Sequence, residues 1–202
     1  MAYRETEQVV ARKEDKRRRI IVAARGLIAE GGFSAVQMST VAAVAGIATG
    51  TVYRYFPSKA DLVTEVFRVV NQWEVDVMAQ AAEADGTVGE RLEAAVATFA
   101  KRALMAPRLA YAFIFEPVDP LVVAERFVFR RAYAEIISEI LTQGVERGEI
   151  PPQPIAVIAN CIVGASAEAL VGPLARHNGS PADGEQAVQS IVKFCQNAVS
   201  HA

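Results

Sequence analysis

Apolar residues recur three and four apart along most of the chain, and no stretch keeps the strict alternation of a half-buried strand. From about Lys16 to Glu30 the residues Ile20, Ala23, Ala24, Leu27 and Ile28 fall on one helical face, and the Gly31-Gly32 pair closes the segment. Two short helices are expected at about Ser39–Ala45 and Thr49–Tyr55, with a turn at Gly46 between them and a break at Pro57. A long helix from about Lys59 carries the stripe Leu62, Val66, Val70, Trp73 and Val77 as far as Asp85-Gly86. Later helices are expected at about Gly89–Met105, Arg108–Phe115, Leu121–Arg147, Ile155–Arg176 and Gly184–His201. Proline and glycine mark the gaps, at Pro107, Pro117, Pro120, Gly148, Pro151-Pro152, Gly179 and Pro181. The pattern predicts an all-α protein of about nine helices, preceded by a polar, flexible arm over residues 1–15.

At 202 residues the chain is long enough for its own core, with room for one or two small domains. Its formal net charge of -2 speaks against a nucleic-acid partner until it is resolved by position. Residues 1–60 hold ten Lys/Arg and five acids, net +5, and the remainder holds 11 basic and 18 acidic residues, net −7. A basic head on an acidic body implies two tasks. The charged start is not a secretory signal. Cys161 and Cys195 are too few for a disulfide framework or a cysteine zinc site, and are expected as reduced thiols in a cytoplasm. The apolar run Ile155–Leu174 contains Asn160, Ser166, Glu168 and Pro173, so it reads as a buried helix of a soluble protein and not a membrane span.

The segment Met38–Leu62 carries the clearest chemistry. Val41, Val44 and Ile47 supply apolar contacts around the Gly46 turn, and Val52 with Phe56 continues the set. Two short helices about a glycine turn form a helix-turn-helix, whose second helix can enter the major groove. The face offered there would be Thr49, Thr51, Tyr53, Arg54 and Tyr55, groups suited to phosphates and base edges, with Gly50 allowing close backbone approach. Lys59 and the run Arg17-Arg18-Arg19 flank it with positive charge.

From Ile20 to Leu62 the chain resembles the DNA-binding domain of the TetR family of repressors. The matching residues are Ile20, Ala24, Leu27, Gly32-Phe33, Val41-Ala42, Ala45-Gly46-Ile47, Gly50-Thr51-Val52-Tyr53, Tyr55-Phe56, Lys59 and Leu62. The resemblance implies a three-helix DNA-binding domain over residues 16–60 and a helical effector-binding and dimerisation domain over 61–202. It implies a cytoplasmic homodimer that meets the nucleoid only when it binds a palindromic operator, and that leaves it on binding a small molecule. By position, Ser39, Thr40, Thr49, Gly50, Thr51, Tyr53, Arg54 and Tyr55 would face DNA, and Lys59 a phosphate. Two positions depart from the pattern. Ala48 stands where a serine often caps the recognition helix, so the cap shifts to Thr49 or is absent. Gln37 stands where a threonine often starts the preceding helix, so Ser39 is available as a cap instead of a DNA contact.

In the body, the last two expected helices carry apolar stripes that suit a four-helix seam across a twofold axis. For an effector, the middle helices offer Trp73, Phe99, Tyr111, Phe115 and Phe127, along with Met105, Phe113, Phe129 and Tyr133. Arg130 falls on the stripe of Phe127, Ala134, Ile137 and Leu141, where it either pairs with Glu116, Asp119 or Glu168 or joins Asn160 in orienting a ligand's polar end. No catalytic cluster, cofactor loop or metal set is evident, and His177 and His201 read as surface residues, so an enzyme is not expected. The expected function is a ligand-responsive transcriptional regulator with no cofactor. A same-fold regulator controlled by a protein partner or by abundance is the rival.

Overall fold

The computed structural model describes residues 7–175 and 181–200; His177 and His201 lie outside them. Among the described residues there are ten α-helices and one 3-10 turn, and no strand. Helix α1 (Glu7–Gly31) starts well before the predicted Lys16, so residues 7–15 are helical and not an arm. The reason is local: from Glu7 to Arg25 the sequence has neither glycine nor proline, and it is rich in Glu, Gln, Ala, Lys and Arg. At its end Gly32 takes φ 71°, ψ −170°, and the 3-10 turn Phe33–Ala35 follows.

Helix α2 (Met38–Ala45) ends where Gly46 adopts the left-handed conformation, φ 64°, ψ 42°. The amides of Gly46 and Ile47 then return to the carbonyls of Ala43 and Ala42, at 3.1 and 3.0 Å. Helix α3 (Thr49–Tyr55) begins at Ala48 without any side-chain cap, so the cap is absent and does not shift to Thr49. Nor does Ser39 cap α2, whose N-cap is Gln37. Helix α4 (Lys59–Ala82) opens with a full capping box between Ser58 and Asp61, which fixes the angle between α3 and the long helix.

The body continues with α5 (Val88–Met105), α6 (Pro107–Phe115), α7 (Pro120–Glu146), α8 (Ile155–Ala169), α9 (Val171–Ala175) and α10 (Pro181–Ser200). The single helix expected over 155–176 is divided at Leu170, because Pro173 cannot donate to the carbonyl four residues back. Helix α4 packs between α5 and α7, α7 also meets α8, and α5 meets α10. The short α6 lies across α1 on one side and α9 on the other, so it touches the head as well as the body. One buried cluster runs from Ile20, Ile28, Val52 and Leu62 in the head through Phe67 to Ile137, Ile162 and Cys195.

The segment 155–175 has a mean hydropathy of 1.8, enough by length and composition to cross a membrane, but only 28% of it is buried within the chain. The expectation of a buried helix therefore holds for one face alone. Ala159, Ile162, Ser166 and Ala167 pack inward, while Val157, Asn160, Cys161, Gly164 and Glu168 face out.

Candidate DNA-binding head and effector cavity

Helix α1 packs on both α2 and α4, and α2 packs on α3. Val41 and Val52 are fully buried between them, Phe56 nearly so, and Ile47 packs at the rim. Val44 does not join this set; it is 61% exposed on the outer side of α2. Ser39 and Thr40 are exposed on the first turn of α2, and Gly50, Tyr53 and Arg54 are exposed along α3. Thr49, Thr51 and Lys59 are half-buried at the edges of the same surface. Tyr55 is also half-buried, its ring packed against the core, which leaves it less available than the sequence pattern implies. A Cβ on Gly50 would meet nothing within 4 Å among the described residues, so none of them makes the close approach that glycine permits there.

The basic run of α1 is mostly committed to the fold. Arg17 pairs with Glu65 at 2.6 Å and lies 5.7 Å over the Phe56 ring. Arg19 donates to the Ala45 carbonyl and to Gly46 O at 3.5 Å, holding the negative end of α2. Arg18 pairs with Asp15 at 2.9 Å. The expected positive flank is therefore weaker than the sequence implies, because Arg17 and Arg19 are turned to the fold and Arg18 alone stays largely exposed. Arg54 and Lys59 make no ion pair among the described residues.

Inside the body, α4, α5, α6, α7 and α8 enclose a cavity of about 60 Å³. Phe67, Phe99, Phe113, Phe129 and Tyr133 line it, with Arg126 and Arg130 on its α7 side. A smaller hollow of about 20 Å³ shares Phe99, Tyr133 and Val163 and continues to Met78, Val96 and Ser166. A water molecule needs roughly 10–15 Å³ in this measure, so the larger space suits a few waters. A larger ligand has to move the rings apart.

Those rings form a chain. Phe129 meets Phe67 edge-on at 5.9 Å, Phe67 meets Phe113 at 5.0 Å, and Phe113 stacks on Phe33 at 5.6 Å with planes 6° apart. Phe33 belongs to the turn leading into α2, so the chain of rings joins the cavity to the head. Tyr133 sits beside the Arg102–Glu74 ion pair, and burial pushes its phenol well above the ordinary tyrosine range.

Of the sequence-predicted lining residues, Phe99, Phe113, Phe129 and Tyr133 reach the cavity and Arg130 reaches its rim, whereas Met105 is 80% exposed. Trp73 is 61% exposed in an open groove between α4 and α7, beside Arg68 and Glu125. Phe127 is 67% exposed. Tyr111 and Phe115 pair with each other at 5.6 Å and line neither the cavity nor the smaller hollow beside it. Asn160 is exposed, its amide donating to Ala156 O at 2.7 Å. Arg130 makes no ion pair with Glu116, Asp119 or Glu168; Glu116 is taken by Arg108 at 2.7 Å.

The sequence pattern missed Arg126, and the cause is a stripe displaced by one residue. Phe127, Val128 and Phe129 are consecutive, so local periodicity cannot choose among them. Counting back from Ile137 in steps of three or four reaches Tyr133, Phe129, Arg126 and Val122 as readily as Ala134, Arg130 and Phe127, and packing alone turns the first set inward. Among the described residues no group of three or more His, Cys, Asp or Glu is placed to hold a metal ion.

Residues 20–66 match the family model for bacterial regulatory proteins of the tetR family. The repressor KstR of Rhodococcus jostii is 49% identical over 51 residues, covering 25% of this chain and 24% of KstR. KstR of Mycolicibacterium smegmatis is 36% identical over 109 residues, about half of each chain. The fatty acid metabolism regulator protein of Bacillus subtilis is 29% identical over 140 residues, 68% of this chain and 72% of the relative. The chain thus spans a quarter to nearly three quarters of the curated relatives it matches. The crystal structure of Bacillus subtilis FadR in complex with stearoyl-CoA superposes with a TM-score of 0.78 at 23% identity, covering 90% of this chain and 98% of FadR. A TetR/AcrR-family regulator from Thermobifida fusca superposes with a TM-score of 0.72 at 23% identity, covering 91% and 97%; at these identities the likeness speaks for the fold. The head that the family model matches, the helical body and the relatives' regulator architecture together support one assignment, a TetR-family transcriptional regulator.

Proposed function

We propose that this protein is a repressor that grips an operator as a homodimer and leaves it when a long-chain acyl compound enters the body. The observation that carries the reading is the row of rings from Phe129 to Phe33, which closes a mostly apolar cavity and ends on the turn before α2. An acyl chain that opens the cavity has to displace Phe67 or Phe113, and Phe113 is stacked on the head. A ligand bound this way prefers the head-shifted state, and that differential affinity is what moves the equilibrium. The acyl class is suggested by the relatives, one described as a fatty acid metabolism regulator and one solved with stearoyl-CoA.

Residues 16–60 act as the reading head and 61–202 as the sensing and dimerising body. Ser39, Thr40, Thr49, Gly50, Thr51, Tyr53, Arg54 and Lys59 meet the DNA, with Tyr55 in a supporting place. The outer faces of α8 and α10, with Val157, Cys161, Gly164 and Phe194 exposed, form the subunit seam. Two α3 helices one turn of DNA apart read the half-sites of a palindrome, which a seven-residue helix alone cannot specify. The protein works in the cytoplasm, as a regulator and not as a catalyst.

Duplexes selected by the protein from a genomic pool supply the operator. Affinity for it is expected to fall steeply with added salt, because Lys and Arg displace counterions. Palmitoyl-CoA is expected to raise the melting temperature and lower operator affinity together. Salt-independent binding rejects the DNA reading. A ligand series that stabilises nothing and never alters operator affinity transfers the regulation to a protein partner or to abundance.

A further inference from the structure

Helix α6 ends in open carbonyls, and a side chain from α7 holds them. Arg126 Nε donates to Phe113 O at 2.7 Å, while its Nη2 donates to Ala112 O at 2.9 Å and Glu116 O at 2.7 Å. Its Nη1, with two further N–H groups, makes no hydrogen bond to the described residues, and Arg126 lines the cavity. Arg130, one turn later, lines the same cavity and has no ion pair among the described residues. The carboxylates nearby are engaged elsewhere, Glu116 with Arg108 at 2.7 Å and Glu125 with Arg68 at 2.6 Å. Burial and the neighbouring Arg130 charge push the Arg126 guanidinium below its usual range, and the Glu116 carboxylate offsets only part of that. Two guanidinium groups on one small cavity, with no carboxylate between them, favour an anion there.

The far side of the same junction reaches the head. Glu116, whose backbone carbonyl Arg126 holds, extends its carboxylate to the Phe33 amide at 3.0 Å and to Arg108. Arg126 thus secures the end of α6, and α6 secures the turn before α2.

We propose that Arg126 and Arg130 bind the anionic end of the effector, a carboxylate or a phosphate, and that Arg126 signals its arrival by releasing α6. This rests on the ligand-released reading above and names the group that triggers release. A guanidinium bonds a carboxylate or phosphate about twice as strongly as it bonds a neutral carbonyl, so the exchange is favourable. The anion also cannot share Arg126 comfortably with the negative end of α6. Released, α6 takes Glu116 and Phe113 away from Phe33, and the head loses its fixed angle. An apolar ligand without the anion displaces the rings but leaves the α6 carbonyls held by Arg126, so it releases the operator less completely than an anionic one.

The test titrates the full chain, free and on its selected operator, with palmitate, palmitoyl-CoA, hexadecanol and CoA alone. Wild type is expected to bind palmitate or palmitoyl-CoA at least tenfold tighter than hexadecanol; preference between the two assigns the anion to carboxylate or to phosphate. Arg130→Gln, at an exposed position, is expected to lose roughly ten- to hundredfold in affinity for the anionic compounds and nothing for hexadecanol. Glu116→Ala separates relay from binding. It should bind the anionic ligand at least as tightly as wild type, hold the operator about tenfold more weakly before ligand is added, and respond less to ligand afterwards. A purely structural role for Glu116 would weaken both activities, and that outcome overturns the relay. Hexadecanol binding wild type as well as palmitate and palmitoyl-CoA, or unchanged anion affinity in both Arg130→Gln and Arg126→Gln, overturns the anion site while leaving the acyl-sensor reading intact. No acyl compound binding wild type overturns that reading and this inference with it.

Discussion

Replacing Gly32 by alanine probes the junction between head and body at its tightest point. The backbone there, φ 71° and ψ −170°, lies in a region open essentially to glycine, so any side chain costs about 1–3 kcal/mol in strain. The new Cβ would also crowd the Glu116 carboxylate and Arg108 Nη2, the ends of two flexible side chains, so both have to move off their present places. Glu116 then loses the Phe33 amide, a charge-assisted bond worth about 1.5–3 kcal/mol. The two effects overlap, and a total of about 3–5 kcal/mol is expected, a large share of a typical 5–15 kcal/mol. For a chain of this size that lowers the melting temperature by about 6–20 °C. Gly26→Ala supplies the contrast: it lies within α1, nothing stands within 4 Å of its Cβ, and alanine there should stabilise by about 0.5–1 kcal/mol. Calorimetric melts of both variants, with hydrogen exchange at the Phe33 amide, decide the matter. Equal melting temperatures and unchanged Phe33 exchange in Gly32→Ala would show that Gly32 and Glu116 do not fasten the head.

Further expectations follow from the caps and from one buried phenol. Ser58→Ala removes the capping box between α3 and α4 and should cost about 1 kcal/mol, read as a melting shift of about 2–4 °C. Arg19→Ala frees the C-terminal end of α2 and should cost about 1 kcal/mol, whereas Arg18→Ala, which touches only Asp15, should leave the melt unchanged. Tyr133 keeps its proton in the folded state above the pH where an unfolded tyrosine loses it, so the native chain binds more protons and stability falls as pH rises past about 10. In Tyr133→Phe that alkaline loss should shrink, as measured by chemical denaturation at pH 8 and pH 11.

The head was readable because its signals are local. Gly31-Gly32, Gly46 and Pro57 end helices by backbone chemistry, and Ile20, Val41 and Val52 keep strict helical spacing. The cavity was not readable in the same way, since its walls come from five helices whose facing depends on packing. Trp73 and Phe127 look like core residues by type, and both are turned outward. Arg17 and Arg19 look like a DNA-facing flank by charge, yet one is set against Glu65 and Phe56 and the other against the end of α2. Only the placement of α4 and α2 against α1 reveals that. Arg126 carried no deciding signal, because helical spacing from Ile137 fits Arg130 and Phe127 equally well.

The parallel stack of Phe33 on Phe113 constrains anyone who would transplant the head. A graft that takes the residues up to Ser58 onto another regulator's body leaves Phe33 without its ring and its amide without Glu116. The natural exchange unit is discontinuous: residues 7–58 together with Pro107–Phe115 and Glu116, although some fifty residues separate the two pieces. A chimera made at the end of α3 should hold its operator weakly with or without ligand, and one that carries both pieces should keep both the grip and the response. The border between reading and sensing in this chain is a pair of rings, not a point in the sequence.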